Sequence, residues 1–227
     1  MNNFLAENQK LRCALLTKCD FNVAKADEAY KFIMGSEAAS PAPQTETYPD
    51  GIYIVDCKGK AVLYTGPDTE TVNDTIGIGI KQGSKSLLVG LTDAADTADS
   101  ANQNCELTTK QGGSRFFKSH TDAVADWDGE AATEDLREIL NPAIKLDEKQ
   151  YIPSLGQMYF ILCHLKAVNE ALAFVGGQPL EVDAWYWSST SYSATYAWDL
   201  YLSSGFAGSW GAKATYQYRV RPVSAFF

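Results

Sequence analysis

YWSSTSYSATYAWDLYLSSGFAGSWGAKATYQYRVRPV, Tyr186 to Val223, concentrates the aromatic chemistry of this 227-residue chain near one end. Four of the five tryptophans fall between Trp185 and Trp210, and six of the twelve tyrosines between Tyr186 and Tyr218. Asp199 and Lys213 are the only charged residues before Arg219. A core can use the rings, but it has less use for the serines and glycines among them. In AWDLYLSSG, period-two alternation predicts Trp198, Leu200 and Leu202 on one face of a strand and Asp199, Tyr201 and Ser203 on the other. The first set reads as core, and the second as facing solvent or a partner. Trp185, Trp187 and Trp198 read as frame. Tyr201, Phe206, Trp210 and Tyr216, set among Gly205, Gly208 and Gly211, read as binding residues, because tyrosine and tryptophan give rigid contact area and serine and glycine give adaptable hydrogen bonding. Farther on, Arg219 and Arg221 share a side, and they read as ties to acidic or carbonyl groups of the frame.

Upstream of this stretch, MYFILCHLKAVNEALAFV is apolar on more than one face, so a buried helix is predicted. It starts at Ser154, where Ser154 and Gln157 stand three apart as a capping box, and ends at Gly176-Gly177. GIYIVDCKGKAVLY predicts a hairpin turning at Lys58-Gly59, and TIGIGI with SLLVGL a second one around Gln82-Gly83. DAADTADSANQNCELTTKQGGS reads as a long surface loop. Two short helices are expected between Phe116 and Leu140, broken at Asp128-Gly129. From Asn2 to Met34 the pattern is helical, with stripes at Leu5, Leu11 and Leu15 and at Val23, Ala26, Tyr30 and Ile33. The organisation is therefore a helical segment 1–35, a Pro/Ser/Thr/Glu-rich linker 36–49 and a domain 50–227 with a binding stretch 185–223. Apolar stripes must be buried somewhere. Docking on the domain and self-association both satisfy that demand, and the second is favoured.

The formal charge of −9 argues against nucleic acid and anionic membrane surfaces, which need basic patches. No apolar run reaches the length of a membrane span, so membrane insertion is not expected. The N-terminus does not read as a signal peptide, which suits a cytoplasmic or particle-associated protein. Five cysteines without a CxxC fit reduced thiols, with Cys163 as a small core residue.

Catalytic motifs are sparse. His120 lies in a polar region, and His164 reads as a core or boundary residue beside Cys163, which it cannot face from the adjacent helix position. No P-loop, HExxH or GxSxG motif occurs. TIGIGIKQG alternates like a strand and is a weak phosphate-loop candidate. Asp122, Asp126, Asp128 and Glu130 form an acidic cluster that reads as a solvated helix end more readily than as a cation site. Gln178-Pro179-Leu180-Glu181 only faintly matches a calcium-lectin signature. No catalysis, metal or cofactor is expected.

YWSST, the Y…AW strand, the SSG turn and RVRP resemble the C-terminal part of C-type-lectin-fold proteins of gut Bacteroidales and their phages. They are similar to the variable proteins of diversity-generating retroelements and, more distantly, to the formylglycine-generating-enzyme-like fold. DGIYIVDCKGK, TIGIGI, DWDGEAATEDL and YIPSLGQM extend the likeness to about Asp50. The resemblance implies an α+β, C-type-lectin-like fold with small antiparallel sheets and flanking helices. It implies a scaffold of Trp187, Ser188, Ser189, Ala197, Trp198, Gly205, Arg219, Arg221 and Pro222. It implies a variable, ligand-binding set of Tyr192, Tyr196, Asp199, Tyr201, Phe206, Ser209, Trp210, Lys213, Tyr216 and Gln217. The expected function is recognition of a protein or glycan ligand on a cell surface. A structural or assembly subunit, using the same residues against a permanent protein partner, is the alternative.

Overall fold

A computed structural model of the chain describes residues 48–70, 72–95 and 103–226. The expected helical segment and nearly all of the linker lie outside the described residues, as does the middle of the long loop.

Both upstream hairpins form where the turn signals stand. Strands β1 (Gly51–Asp56) and β2 (Ala61–Leu63) pair antiparallel, as do β3 (Thr75–Gln82) and β4 (Lys85–Gly90). The β3–β4 turn needs Gly83, whose φ of 58° lies in the left-handed region that glycine enters without steric cost. With β8 (Val223–Ser224) these strands make a five-stranded sheet in the order β2-β1-β3-β4-β8. A second sheet contains β5 (Trp185–Ser191), β6 (Tyr196–Tyr201) and β7 (Phe206–Ala212), in that order and antiparallel.

Two short helices, α1 (His120–Ala125) and α2 (Gly129–Leu136), begin at Ser119 and Asp128, whose side chains accept the Asp122 and Ala131 amide hydrogens. The predicted capping box is present: Ser154 accepts from the Gln157 amide, and Gln157 reaches back to the Ser154 amide. The single long helix expected to follow is two. Helix α3 (Leu155–Cys163) stops at His164, whose φ of −114° and ψ of 8° leave the helical region, and α4 (Leu165–Phe174) starts directly after it. The His164 ring meets the Phe160 carbonyl at 2.8 Å, holding the break. Cys163, expected in the core, is turned out to solvent by the same break.

Helices α3 and α4 explain the apolarity of their sequence. Leu155, Met158, Ile161, Val168, Ala171 and Leu172 pack with Ile52, Ile54, Ile78, Ile80, Leu87 and Val89 of the first sheet and with Tyr186, Trp198 and Leu200 of the second. Both sheets thus share one core through these helices. The opposite face of the second sheet has its own apolar layer, in which Trp187 and Ala197 meet Cys105, Leu107, Leu136, Ile139 and Val220. The fold is α+β, with small antiparallel sheets and flanking helices, as the sequence predicts.

Candidate functional site

The second sheet carries the candidate site. Its alternation is as read: Trp198, Leu200 and Leu202 are buried on the helix side. The other face, however, is only partly open to solvent. The segment after β7 crosses it, so that the Tyr218 ring sits 4.6 Å from Trp187 and 5.6 Å from Trp185, nearly parallel to the latter. The segment is fixed by a reciprocal backbone pair between Cys105 and Tyr218 and by bonds of Arg219 to Trp185 and Trp187.

This cover corrects one expectation. Asp199 was expected to face solvent and is 2% exposed. Its carboxylate oxygens lie against Gly208 and Gly211, and burial pushes its pKa up to about 7. A Cβ at either glycine would overlap the carboxylate oxygens, so the close approach needs glycine at both places. Lys213, also expected on the exposed set, is fully buried. Its ammonium donates to the Gly112 carbonyl at 2.7 Å and to Ser191 Oγ at 3.1 Å. Burial pulls its pKa down to about 8, with Asp135 opposing.

The remaining predicted residues separate into groups. Tyr201 and Phe206 lie in one cross-strand row with Trp185, the ring pairs at 5.2 and 6.1 Å. Through Trp185 and Tyr218 this row continues to Tyr216. Tyr196 pairs instead with Trp210 at 6.0 Å. Tyr192 stands apart against Trp198, with the Lys118 ammonium 4.5 Å from its ring centre. Gln217 hydrogen-bonds Glu106 at 2.8 Å, and Ser209 is half-buried. Phe206, Trp210 and Tyr216 are 62%, 74% and 48% exposed, and Phe116 at 41% is the other exposed large aromatic among the described residues. Three of the four therefore belong to one stretch, which is where a recognition surface concentrates apolar area.

Two members of the longer row were read only as frame or passed over. Trp185 and Tyr218 are half-exposed and join Phe206 to Tyr216. Alternation did place Tyr218 opposite Arg219, but nothing local shows that it would lie across the sheet.

The serines of YWSSTS also resolve. Ser188 donates to the Trp198 carbonyl, Ser189 to the Gly129 carbonyl and Thr190 to Asp126 Oδ2, and Thr190 accepts the Leu155 amide hydrogen. They are internal fasteners between β5, β6, α2 and α3. The acidic cluster is likewise divided among separate tasks: Asp126 holds Thr190, Asp128 caps α2 and pairs with Arg115, and Asp122 accepts from Ser119. Gln178, from the faint calcium-lectin signature, bonds the Asp93 amide and Gln103, while Glu181 points outward.

No protein-family model and no curated protein matches the chain. Among solved structures, the chain is similar to a fimbrial protein from Bacteroides ovatus ATCC 8483, with a TM-score of 0.58 at 13% sequence identity. The likeness covers 79% of this chain, which spans about half, 49%, of the fimbrial protein. At that identity the fold is what is shared.

Proposed function

We propose that the protein is a recognition module that grips a protein or glycan ligand through the exposed rings of the second sheet and its covering segment, on a lectin-like frame. The observation that carries this reading is the exposure of Phe206, Trp210 and Tyr216 in a stretch, 185–218, whose other aromatics are buried or half-buried. Binding hot spots are enriched in tyrosine and tryptophan for the same physical reason: large rigid area with little side-chain entropy to lose. The ring row supplies apolar area, and the hydroxyls of Tyr201 and Tyr216 supply direction. Neither histidine stands in a nucleophile–base pair: His120 meets Tyr159 at 3.3 Å and His164 a backbone carbonyl. We therefore read the protein as a binder, not a catalyst.

Retroelement-driven variation fits Tyr192, Tyr196, Tyr201, Phe206, Ser209, Trp210, Tyr216 and Gln217, which change without touching the deepest core. It fits Asp199 and Lys213 poorly. A near-copy of the last forty codons beside a reverse transcriptase gene, differing at adenines, is the genomic test. Self-association through the N-terminal segment would add avidity to a weak face.

A combined Phe206→Ser, Trp210→Ser, Tyr216→Ser variant tests the binding reading against cell surfaces and glycan arrays. Loss of wild-type binding by more than about tenfold, at an unchanged melting temperature, is expected. Unchanged binding removes the face from consideration. An assembly role is the second reading, favoured by the fimbrial likeness and by the outer edge of β7, whose seven residues include no charge and no proline. Polymer formation abolished by the same variant would move the conclusion to that role.

A further inference from the structure

The side of the second sheet away from the covering segment carries its own group of rings. Tyr196 and Trp198 alternate onto that side of β6. Trp210 shares it, because Ala212 pairs with Tyr196 and the Trp210 ring meets Tyr196. Phe206 stands on the other side, with Tyr201 and Trp185. Phe206 and Trp210 therefore look out from opposite sides of one sheet.

On the Trp198 side, the segment before α1 is tied to the sheet. The Trp198 indole donates to the Phe117 carbonyl at 2.9 Å, and the Phe117 amide donates to the Ser191 carbonyl. These bonds hold Phe116 and Lys118, the two neighbours of Phe117, next to Tyr192. The Lys118 ammonium lies 4.5 Å from the Tyr192 ring centre and 5.5 Å from that of Phe116. Tyr192 and His120 both lean on Trp198, at 5.9 and 5.8 Å. The backbone here is fixed while the side chains reach water: Phe116, Lys118 and His120 are exposed, and Tyr192 is half-buried.

The polar groups of this face are unspent. Among the described residues, Lys118 makes no ion pair and no hydrogen bond, and the Tyr192 hydroxyl has no partner. The carboxylates close by along the chain are committed elsewhere: Asp122 accepts from Ser119, and Asp128 pairs with Arg115. In a chain of formal charge −9, an exposed ammonium held over two rings and left without an anion is where an outside anion meets no competitor.

We propose that Phe116, Lys118 and Tyr192 form a subsite for an acidic saccharide, a pyranose that carries a carboxylate. The carboxylate is received by the Lys118 ammonium, with the Tyr192 hydroxyl as a second donor. The apolar C–H side of the sugar ring lies on Phe116, whose ring face carries the complementary negative charge. Both halves of the ligand are used. A carboxylate without a ring, as on an acidic peptide, leaves Phe116 in water, and a neutral sugar leaves Lys118 unpaired. The subsite goes beyond the row of Phe206 and Tyr216 and does not depend on it.

The test is an NMR titration of the full chain with glucuronic acid and, separately, with glucose, which share the pyranose and differ in the carboxylate. Glucuronate is expected to shift the Phe116 and Tyr192 ring signals with a Kd on the order of 1 mM, and glucose to bind at least about tenfold more weakly. Lys118→Met keeps an apolar stem over the rings and removes the charge. It should bring glucuronate down to the level of glucose at an unchanged melting temperature. The combined Phe206→Ser, Trp210→Ser, Tyr216→Ser variant should bind glucuronate as the wild type does, which separates this subsite from the ring row. Equal binding of the two sugars, no shift with either, or full glucuronate binding by Lys118→Met overturns the proposal. Loss of glucuronate binding in the combined variant overturns it as well. The peptide acetyl-Glu-Glu-Glu-amide, if it shifted the same signals as tightly as glucuronate, would replace the saccharide with a peptide ligand.

Discussion

Trp187 and Trp210 show what one residue type does in two settings. Trp187 is fully buried, and its indole donates to the Cys105 carbonyl at 2.8 Å. Trp187→Ala should cost about 3–5 kcal/mol, the usual range for an aromatic truncated in a core. Trp210→Ala should change stability by less than about 0.5 kcal/mol, since the ring is mostly in water. Paired denaturant melts check this, and equal losses would mean that the frame and the surface are wrongly divided. The sequence separated them because glycines surround Trp210 and serines adjoin Trp187. It misplaced Asp199 and Lys213, because a charge on the polar side of an alternating strand looks exposed until a distant segment covers it. The consequence is a pH effect whose sign is fixed. The Asp199 pKa is raised in the folded state to about 7, so the fold binds a proton that the unfolded chain releases near 4. Its stabilising contribution is complete below about pH 4 and is lost as pH rises through about 7. Melting temperature should therefore fall from pH 5.5 to pH 8 more steeply in the wild type than in Asp199→Asn. A wild-type fall no steeper than that of Asp199→Asn contradicts the assignment.

At the scale of elements, signals within about a dozen residues were legible and signals between segments were not. The hairpins, the short helices and the capping box carry their own turn and cap residues, which act locally. The break at His164 carries no glycine or proline, so an apolar run read as one helix. What decides it is the core: α3 and α4 must pack against two sheets at once, and a straight rod would leave one face unburied. The irregular register between β6 and β7, where Ala197 pairs with Gly211 but Asp199 with Gly208, escaped for the same reason, being defined by a partner strand. Ser154 shows how a local signal can gain weight from its surroundings. Beyond the capping box its hydroxyl donates to the Asp126 carbonyl at 2.7 Å, and the residue is wholly buried. Ser154→Ala should cost more than the ~1 kcal/mol of an ordinary cap, about 2–3 kcal/mol once the unpaired Asp126 carbonyl is included. Thermal melts of Ser154→Ala beside Ser119→Ala, an exposed cap, measure the difference, and equal losses would show that the buried bond adds nothing.

Closure of the described domain depends on its last strand returning to its first sheet. After covering the second sheet, the chain places Arg219 and Arg221 on Asp93, just past β4, and then adds β8 to the first sheet. Arg221 is fully buried and reaches the Gly90 and Gln178 carbonyls as well, so one guanidinium joins the end of β4, the segment after α4 and the C-terminal strand. The alternating RVR pattern, with both arginines on one side, made this tie readable. Its partner was not readable, because Asp93 lies in a run of similar acidic residues. A buried pair adds little over an apolar replacement, yet removing Arg221 leaves Asp93 to Arg219 alone and takes the shared donor from the Gly90 and Gln178 carbonyls. Arg221→Ala should therefore lose about 3–5 kcal/mol, while Arg221→Ala with Asp93→Asn should recover part of the loss. Lysine cannot supply the forked donors that reach Asp93 and two carbonyls, so Arg221→Lys should remain clearly destabilised. Ligand binding by the folded fraction should be unaffected, because Arg221 is fully buried and its guanidinium bonds go to Asp93 and to the Gly90 and Gln178 carbonyls, not to the exposed rings. Denaturant melts of the four proteins, read beside binding of the folded fraction, separate the outcomes. Selective loss of binding at an unchanged midpoint would make Arg221 part of the recognition surface and not the tie that closes the fold.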